Sequence, residues 1–272
     1  MAISSTPLVK DYMVSDYPKV DKDDSLQYAL KVMEKYGTDR VLAFEKGRLV
    51  GILTMKDIIV RLGTLRTRSI TPSHLYVSSV MTGNPITVHP EATLIEASKT
   101  MIDRGISSLP VVSSGRVVGL ITKREIAKLC IDRNIDTPTK NVMSYNPITL
   151  KPGDRVIHAR QVILSNSIST LPVVENGKPI GLVTIDEVAK ALVAFYNIVP
   201  AKYRGERIMH LLVDDIMKNP IKVHIETPLY ETVKVILDRR VRGVIVVDSE
   251  DIVTGVVTLT DIVRYISSEL NL

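Results

Sequence analysis

The chain has 272 residues, 45% hydrophobic and 24% charged, which is enough for one large domain or two ordinary ones. Its single cysteine, Cys130, excludes an intrachain disulfide and any zinc site built from several thiolates. A net charge of +5 suits an anionic ligand but is small for nucleic-acid binding on a chain this long, and 4% aromatics with no Trp leave few rings for base stacking.

No apolar run approaches the roughly 18 residues of a membrane span, and charge interrupts every apolar run near the N-terminus. A soluble, cytoplasmic chain with no membrane partner is expected.

One phrase occurs four times: GILTMKDI from Gly51, GLITKREI from Gly119, GLVTIDEV from Gly181 and GVVTLTDI from Gly255. Met13, Met81, Met143 and Met217 each lie 38 residues upstream of these glycines. A fixed offset kept four times marks internal repeats. The units are read as 9–63, 77–130, 139–192 and 213–266. Linkers are expected over 64–76, 131–138 and 193–212.

Along each unit the elements follow one order. A Met-containing segment leads to a proline, in Tyr17-Pro18, Asn84-Pro85, Asn146-Pro147 and Asn219-Pro220. A short extended piece follows, such as Ile86-Thr87-Val88. The next helix is announced by capping chemistry: Thr93 with Glu96 fits a capping box, and Thr227 is followed by Pro228, expected at the first helical position. Its apolar residues recur near 3.6, as in Leu94, Ala97 and Met101. Then comes a β-branched strand: Leu109-Pro110-Val111-Val112, Leu171-Pro172-Val173-Val174 or Val244-Ile245-Val246-Val247. A turn such as Ser114-Gly115 or Asn176-Gly177 leads to the strand carrying the phrase. A last amphipathic helix starts at its Thr. The unit is β-α-β-β-α over about 55 residues, near the lower limit for independent folding. Pairing of units one with two and three with four, sheet on sheet, is therefore expected to bury a shared core.

Within the phrase, Thr and the acid three residues later form a capping box at a helix start. That structural role explains all four copies without a ligand. It does not explain why Asp57 and Asp261 close two copies while Glu125 and Glu187 close the others. A short carboxylate beside the backbone can accept from two vicinal hydroxyls, as a ribose presents, with Thr54 or Thr258 adding a hydroxyl. The helix N-terminus beside it favours phosphate. The longer Glu carboxylates of Thr122/Glu125 and Thr184/Glu187 make weaker clefts. Lys56 and Arg124 fall in the first helical turn after their Thr, where they could attract phosphate.

The Met…Pro…LPVV…GhhTxx(D/E)h unit resembles the cystathionine-β-synthase (CBS) domain. The resemblance spans about residues 9–266. Four such repeats in one chain are similar to the gamma subunit of AMP-activated kinase and to archaeal four-CBS proteins. The resemblance implies an α/β fold of four β-α-β-β-α repeats, paired into two Bateman modules in a flattened pseudo-symmetric assembly. It further implies a non-catalytic regulatory protein, not an enzyme, that senses AMP, ADP or ATP in clefts between paired repeats. The first cleft would use Arg40, Thr54, Lys56, Asp57, Ile86, Thr87, Ser107 and Ser108. The second would use Arg242, Thr258, Asp261, Ile148, Thr149, Ser169 and Thr170. No cofactor is required beyond the nucleotide itself. An unidentified regulated protein is the expected partner, and a homodimer is left open.

Three other readings are open. One is an interaction scaffold with vestigial clefts. Another is a sensor of an S-adenosylmethionine-type ligand, whose sulfonium would be repelled by Arg40. The third is nucleic-acid binding through Arg66, Arg68 and the segment 202–207. The five histidines show no HxxxH or HExxH spacing, so no metal is expected. The four recurring methionines are expected to pack inside the modules. Cys130 has no paired base that would make it a nucleophile.

Overall fold

The computed structural model describes residues 6–63, 69 and 71–269; Arg66 and Arg68 lie outside them. Repeat one contains α1 (Val9–Tyr12), β1 (Lys19–Asp21), α2 (Leu26–Lys35), β2 (Arg40–Glu45), β3 (Arg48–Thr54) and α3 (Met55–Arg61). Repeat two contains β4 (Thr82–Gly83), α4 (Leu94–Asp103), β5 (Ser108–Ser113), β6 (Arg116–Thr122) and α5 (Lys123–Asp132). Repeat three contains β7 (Ser144–Tyr145), α6 (Val156–Asn166), β8 (Thr170–Glu175), β9 (Lys178–Thr184) and α7 (Ile185–Ile198). After α8 (Ala201–Arg207), repeat four adds β10 (Lys222–His224), α9 (Leu229–Asp238), β11 (Gly243–Val247), β12 (Val253–Thr258) and α10 (Leu259–Glu269).

The lead segments exchange between paired repeats. β4 of repeat two hydrogen-bonds to β3 of repeat one, with Gly51 opposite Gly83. Met13 and Val14 return the exchange, Val14 bridging Leu120 on β6. Repeats three and four do the same: β7 joins β12 with Gly255 opposite Tyr145, and Lys218 bridges Leu182 on β9. The repeated Met and Gly explain each other. Each methionine lies over the phrase glycine of its partner repeat. A Cβ on Gly119, Gly181 or Gly255 would stand 2.6, 2.5 or 2.5 Å from the sulfur of Met13, Met217 or Met143, and one on Gly51 would collide with Met81. The exchange pairs one with two and three with four, as the repeat pattern predicts.

The cores run crosswise to that pairing. One buried cluster joins repeats one and three, from Leu26, Met33, Ile58 and Leu62 to Val156, Leu171, Leu192 and Tyr196. A second joins repeats two and four, from Leu94, Met101 and Ile126 to Val233, Ile236, Val244 and Ile266. The helices make these contacts: α3 lies on α7, and α4 and α5 lie on α10 and α9. The expected sheet-to-sheet core is the small one; between repeats three and four it is Leu182, Ile245 and Val247. The apolar helix faces are larger than one pair can cover, so each module buries them against the other.

Two local expectations change. Residues 193–212, expected as a linker, include the end of α7, all of α8 and a 3₁₀ turn, and Tyr196 is 1% exposed with its hydroxyl accepting from the Gly63 amide at 3.2 Å. Pro228 is the N-cap of α9 rather than its first residue, because it bridges Pro138 and its φ and ψ are extended. The Thr93–Glu96 capping box forms as read, with the Thr93 amide donating to Glu96 at 2.7 Å.

Candidate functional site

Each phrase turns from strand to helix at its Thr. The Thr hydroxyl caps the following helix, and the acid accepts from the Thr backbone amide: 2.7 Å for Asp57, 3.2 Å for Glu125, 3.0 Å for Glu187 and 2.9 Å for Asp261. The capping role therefore holds in all four repeats, and it commits one carboxylate oxygen in each.

The other oxygen separates the repeats. In three of the four it meets the residue after the lead-segment methionine of the partner repeat. Thr82 donates to Asp57 Oδ1 at 3.0 Å, and Ser144 donates to Asp261 Oδ1 at 3.1 Å. Lys218 instead forms an ion pair with Glu187 at 2.6 Å. Burial opposes ionisation of Glu187, but Lys218 and the Thr184 hydroxyl outweigh it and hold its carboxyl below the usual range. In the fourth cleft the corresponding residue is Val14. A hydroxyl from the partner repeat thus accompanies each Asp, with Arg264 adding an ion pair to Asp261 Oδ1 at 3.1 Å, while the corresponding residue is a lysine or an apolar residue where the acid is Glu.

The two Asp-bearing clefts share a second feature. Asn84 and Asn146 have φ of 49° and 48°, the left-handed region that non-glycine residues enter at some cost. Each is followed by Pro and Ile. The turn presents Ile86 and Ile148, 39% and 44% exposed, to the cavity. Tyr17-Pro18 and Asn219-Pro220, in the lead segments facing the Glu clefts, lack that left-handed turn.

All four phrase ends open on one cavity of about 1780 Å³. Its wall includes Arg40, Thr54, Lys56, Asp57, Ile86, Ser107 and Ser108 of the first expected site, and Arg242, Thr258, Asp261, Ile148, Ser169 and Thr170 of the second. Thr122, Arg124, Glu125, Thr184 and Glu187 line it too. Thr87 and Thr149 do not. Both are exposed, and strand alternation turns them away once Ile86 and Ile148 face in. The Thr170 hydroxyl is buried and is the buried side-chain polar atom left without a hydrogen-bond partner among the described residues. Such a group costs free energy until something pairs with it.

The cavity centre is charged. Arg40 donates to both oxygens of Asp39, at 2.7 and 2.8 Å, and to the Ser107 hydroxyl at 3.1 Å. Arg242 forms a two-point ion pair with Asp186, at 2.8 and 2.9 Å, and a second ion pair with Asp39. Burial disfavours the Asp39 carboxylate, yet the Arg242 and Arg40 guanidiniums hold its pKa well below the usual carboxylate range. Arg124 donates to the Val241 carbonyl at 3.1 Å, and Lys123 to the Thr260 hydroxyl at 3.0 Å. Burial, reinforced by Arg40, Arg264 and Arg242, pulls Lys123 down to about 8.

Asp39 escaped the sequence reading, as did Thr82, Ser144 and Lys218, whereas Lys123 and Asp186 were legible there as a phosphate-attracting cation and an anion-repelling neighbour of Glu187. The residue following each lead methionine was a readable signal, since it covaries with the acid of the paired phrase inside this one chain. Strand register also fixes one equivalence. Arg40 is opposite Thr54, whereas Gly243 is opposite Thr258, so Arg242 matches Asp39 and not Arg40.

Among the described residues no group of three or more His, Cys, Asp or Glu side chains could hold a metal ion, and no helix is long and apolar enough to cross a membrane. Burial pushes the Cys130 thiol up to about 12.

The CBS domain family model matches residues 9–63, 77–132, 140–194 and 213–268. The chain belongs to the CBS domain family. Its four CBS repeats pair as two Bateman modules. An uncharacterized Methanocaldococcus jannaschii protein, MJ1404, is 28% identical over 271 residues, covering 95% of this chain and 62% of its own length. This chain thus spans under two thirds of that relative. A second protein of that organism, MJ1225, is 23% identical and is covered over 95% of its length. The crystal structure of MJ1225, proposed there as an archaeal homologue of g-AMPK, superposes with a TM-score of 0.82 at 21% identity, covering 95% of this chain and 99% of that one. A conserved Pyrococcus horikoshii protein superposes with a TM-score of 0.63 at 17% identity, over 94% and 98% of the two chains. At these identities the superpositions establish the four-CBS fold.

Proposed function

We propose that this CBS protein is a non-catalytic regulator that senses adenosine nucleotides in the two clefts closed by Asp57 and Asp261. The observation that carries the reading is the matched construction of those clefts. In each, one carboxylate oxygen is fixed by a helix cap, and the other meets an exchangeable hydroxyl contributed by the paired repeat, Asp261 being held by Arg264 as well. A ribose can replace such a hydroxyl by offering two of its own. Ile86 and Ile148 supply apolar surface for a base, and the orphaned Thr170 hydroxyl supplies a polar contact. Guanidinium and ammonium groups meet at the cavity centre, where phosphates would converge. The likeness to MJ1225, itself proposed as a homologue of g-AMPK, fits this reading.

Signalling follows from geometry. A ligand spanning two repeats favours whichever arrangement of them it fits better, and only that difference in affinity can be transmitted to a partner protein. Calorimetry with AMP, ADP, ATP and S-adenosylmethionine on the wild type and on Asp57→Ala/Asp261→Ala tests the proposal. Nucleotide binding that disappears in the double variant supports it. Nucleotide affinity untouched by the double substitution refutes it. Thermal stability indifferent to every nucleotide favours the scaffold reading instead, because a ligand at 100 times its dissociation constant should add about 2.7 kcal/mol.

A further inference from the structure

Each repeat places one residue at the register just before its LPVV-type strand. These residues are Asp39, Ser107, Ser169 and Arg242, each preceding the residue opposite its phrase Thr. The two that carry charge meet across the module boundary. Asp39, of the first module, pairs with Arg242, of the second, and Asp186 grips Arg242 from its other edge. Side-chain exposures of 17–24% place these three groups largely out of water. Asp39 also holds Arg40 in a two-point pair. The four formal charges cancel, and both guanidiniums face carboxylates that belong to the protein.

We infer that Asp39 and Asp186 set the charge of the ligand this cavity accepts: they stand as internal anions on Arg40 and Arg242, which a phosphate must displace. The inference rests on the nucleotide reading above and specifies its selectivity. A phosphate entering beside Asp39 and Asp186 meets two partly desolvated carboxylates, a like-charge contact that opposes binding in such surroundings. It gains the guanidiniums only by taking the carboxylates' place. Because Asp39 and Arg242 lie on different modules, that exchange severs an ion pair between them. An uncharged adenosyl ligand competes for neither guanidinium and leaves the contact closed. The junction thus turns the presence of a phosphate into a change at the module boundary.

The test is calorimetric titration of adenosine and AMP into the wild type, Asp39→Asn and Asp186→Asn. Hydrogen exchange of the wild type at residues 39–42 and 242–246 accompanies it. The expected result is AMP binding tighter by about tenfold in each variant, within the usual range of coupling between sites, with adenosine affinity unchanged. AMP, but not adenosine, should accelerate exchange in both segments of the wild type. AMP affinity that is unchanged or weaker in both folded variants overturns the inference while leaving nucleotide binding intact. Should neither variant fold, exchange on the wild type decides: slower or unaltered exchange with AMP overturns it. If the wild type binds neither adenosine nor AMP, the nucleotide reading itself fails, and this inference with it.

Discussion

Lys123 opens α5 at the cavity centre and is 8% exposed. Its ammonium donates to the Thr260 hydroxyl at 3.0 Å. Burial disfavours its charge, Arg40, Arg264 and Arg242 repel it, and Asp261 offsets part of that. Its pKa falls from 10.5 to about 8, equivalent to about 3 kcal/mol against the charged form. At pH 7 the folded protein carries that cost in full. As pH rises past 8 the folded state releases the proton while the unfolded chain keeps it until about 10.5, so the unfolded state binds more protons and this group's contribution to stability rises across that window. Lys123→Met removes the charge and also the bond to Thr260, which contributes about 1 kcal/mol. The variant should therefore be more stable than wild type at pH 7 by about 1–2 kcal/mol, and the difference should shrink as pH approaches 10. Urea unfolding of both proteins at pH 7, 8, 9 and 9.5 measures it. A difference that stays constant over that range, or a wild type that weakens relative to the variant, refutes the reasoning. A phosphate arriving beside Lys123 should restore its charge, so nucleotide binding at pH 8.5 should take up a proton, visible as a calorimetric heat that changes with the buffer.

Three further outcomes follow from the same contacts. Gly119→Ala would place a Cβ 2.6 Å from Met13 Sδ and 3.0 Å from the Val14 carbonyl, and should cost about 1–3 kcal/mol in chemical unfolding; adding Met13→Ala should recover part of that, whereas strict additivity of the two would disprove the contact. Glu187→Asp with Lys218→Thr rebuilds the third cleft on the Asp57–Thr82 pattern, and calorimetric stoichiometry should rise by one nucleotide per chain; an unaltered stoichiometry means the residue after the methionine does not control occupancy. Cys130 is fully buried, with its thiol raised to about 12 by burial, so a disulfide reagent at pH 8 should label it only as fast as the protein opens; rapid labelling of the native protein would contradict its placement.

The fold was legible because the sequence states it four times. A fixed Met-to-Gly spacing, the Thr-to-acid capping box and the alternation around each LPVV strand all depend on contacts local to one repeat or one pair. The two Asp-bearing clefts were legible for the same reason: Asp57 and Asp261 differ from Glu125 and Glu187 inside an otherwise constant frame. What was hidden lies where modules meet. Nothing in the spacing of Asp39 and Arg242, 203 positions apart, announces their ion pair. The crosswise cores depend on helix faces whose partner helices begin 106 or more residues further along the chain, from Lys123 to Leu229 at the shortest, and an apolar stripe says that it is buried but not against what. Residues 193–212 read as a linker because Pro200 and a basic run interrupt the pattern, yet Tyr196 docks into repeat one and keeps that stretch helical. Thr87 and Thr149 entered the expected site with Ile86 and Ile148 as what the family resemblance implies for the Pro-containing segment, and neither lines the cavity.

The exchange of lead segments sets the smallest unit in which the sheets of this molecule are complete. A fragment cut to one repeat would keep its own methionine strand dangling and leave the backbone edge beside its phrase glycine bare, a template for the next chain it meets. Such a fragment should recruit a second copy of itself to fill both vacancies. Duplication and grafting of this architecture are therefore expected to proceed in steps of two repeats, each added pair still needing a second module to cover its crosswise helix faces.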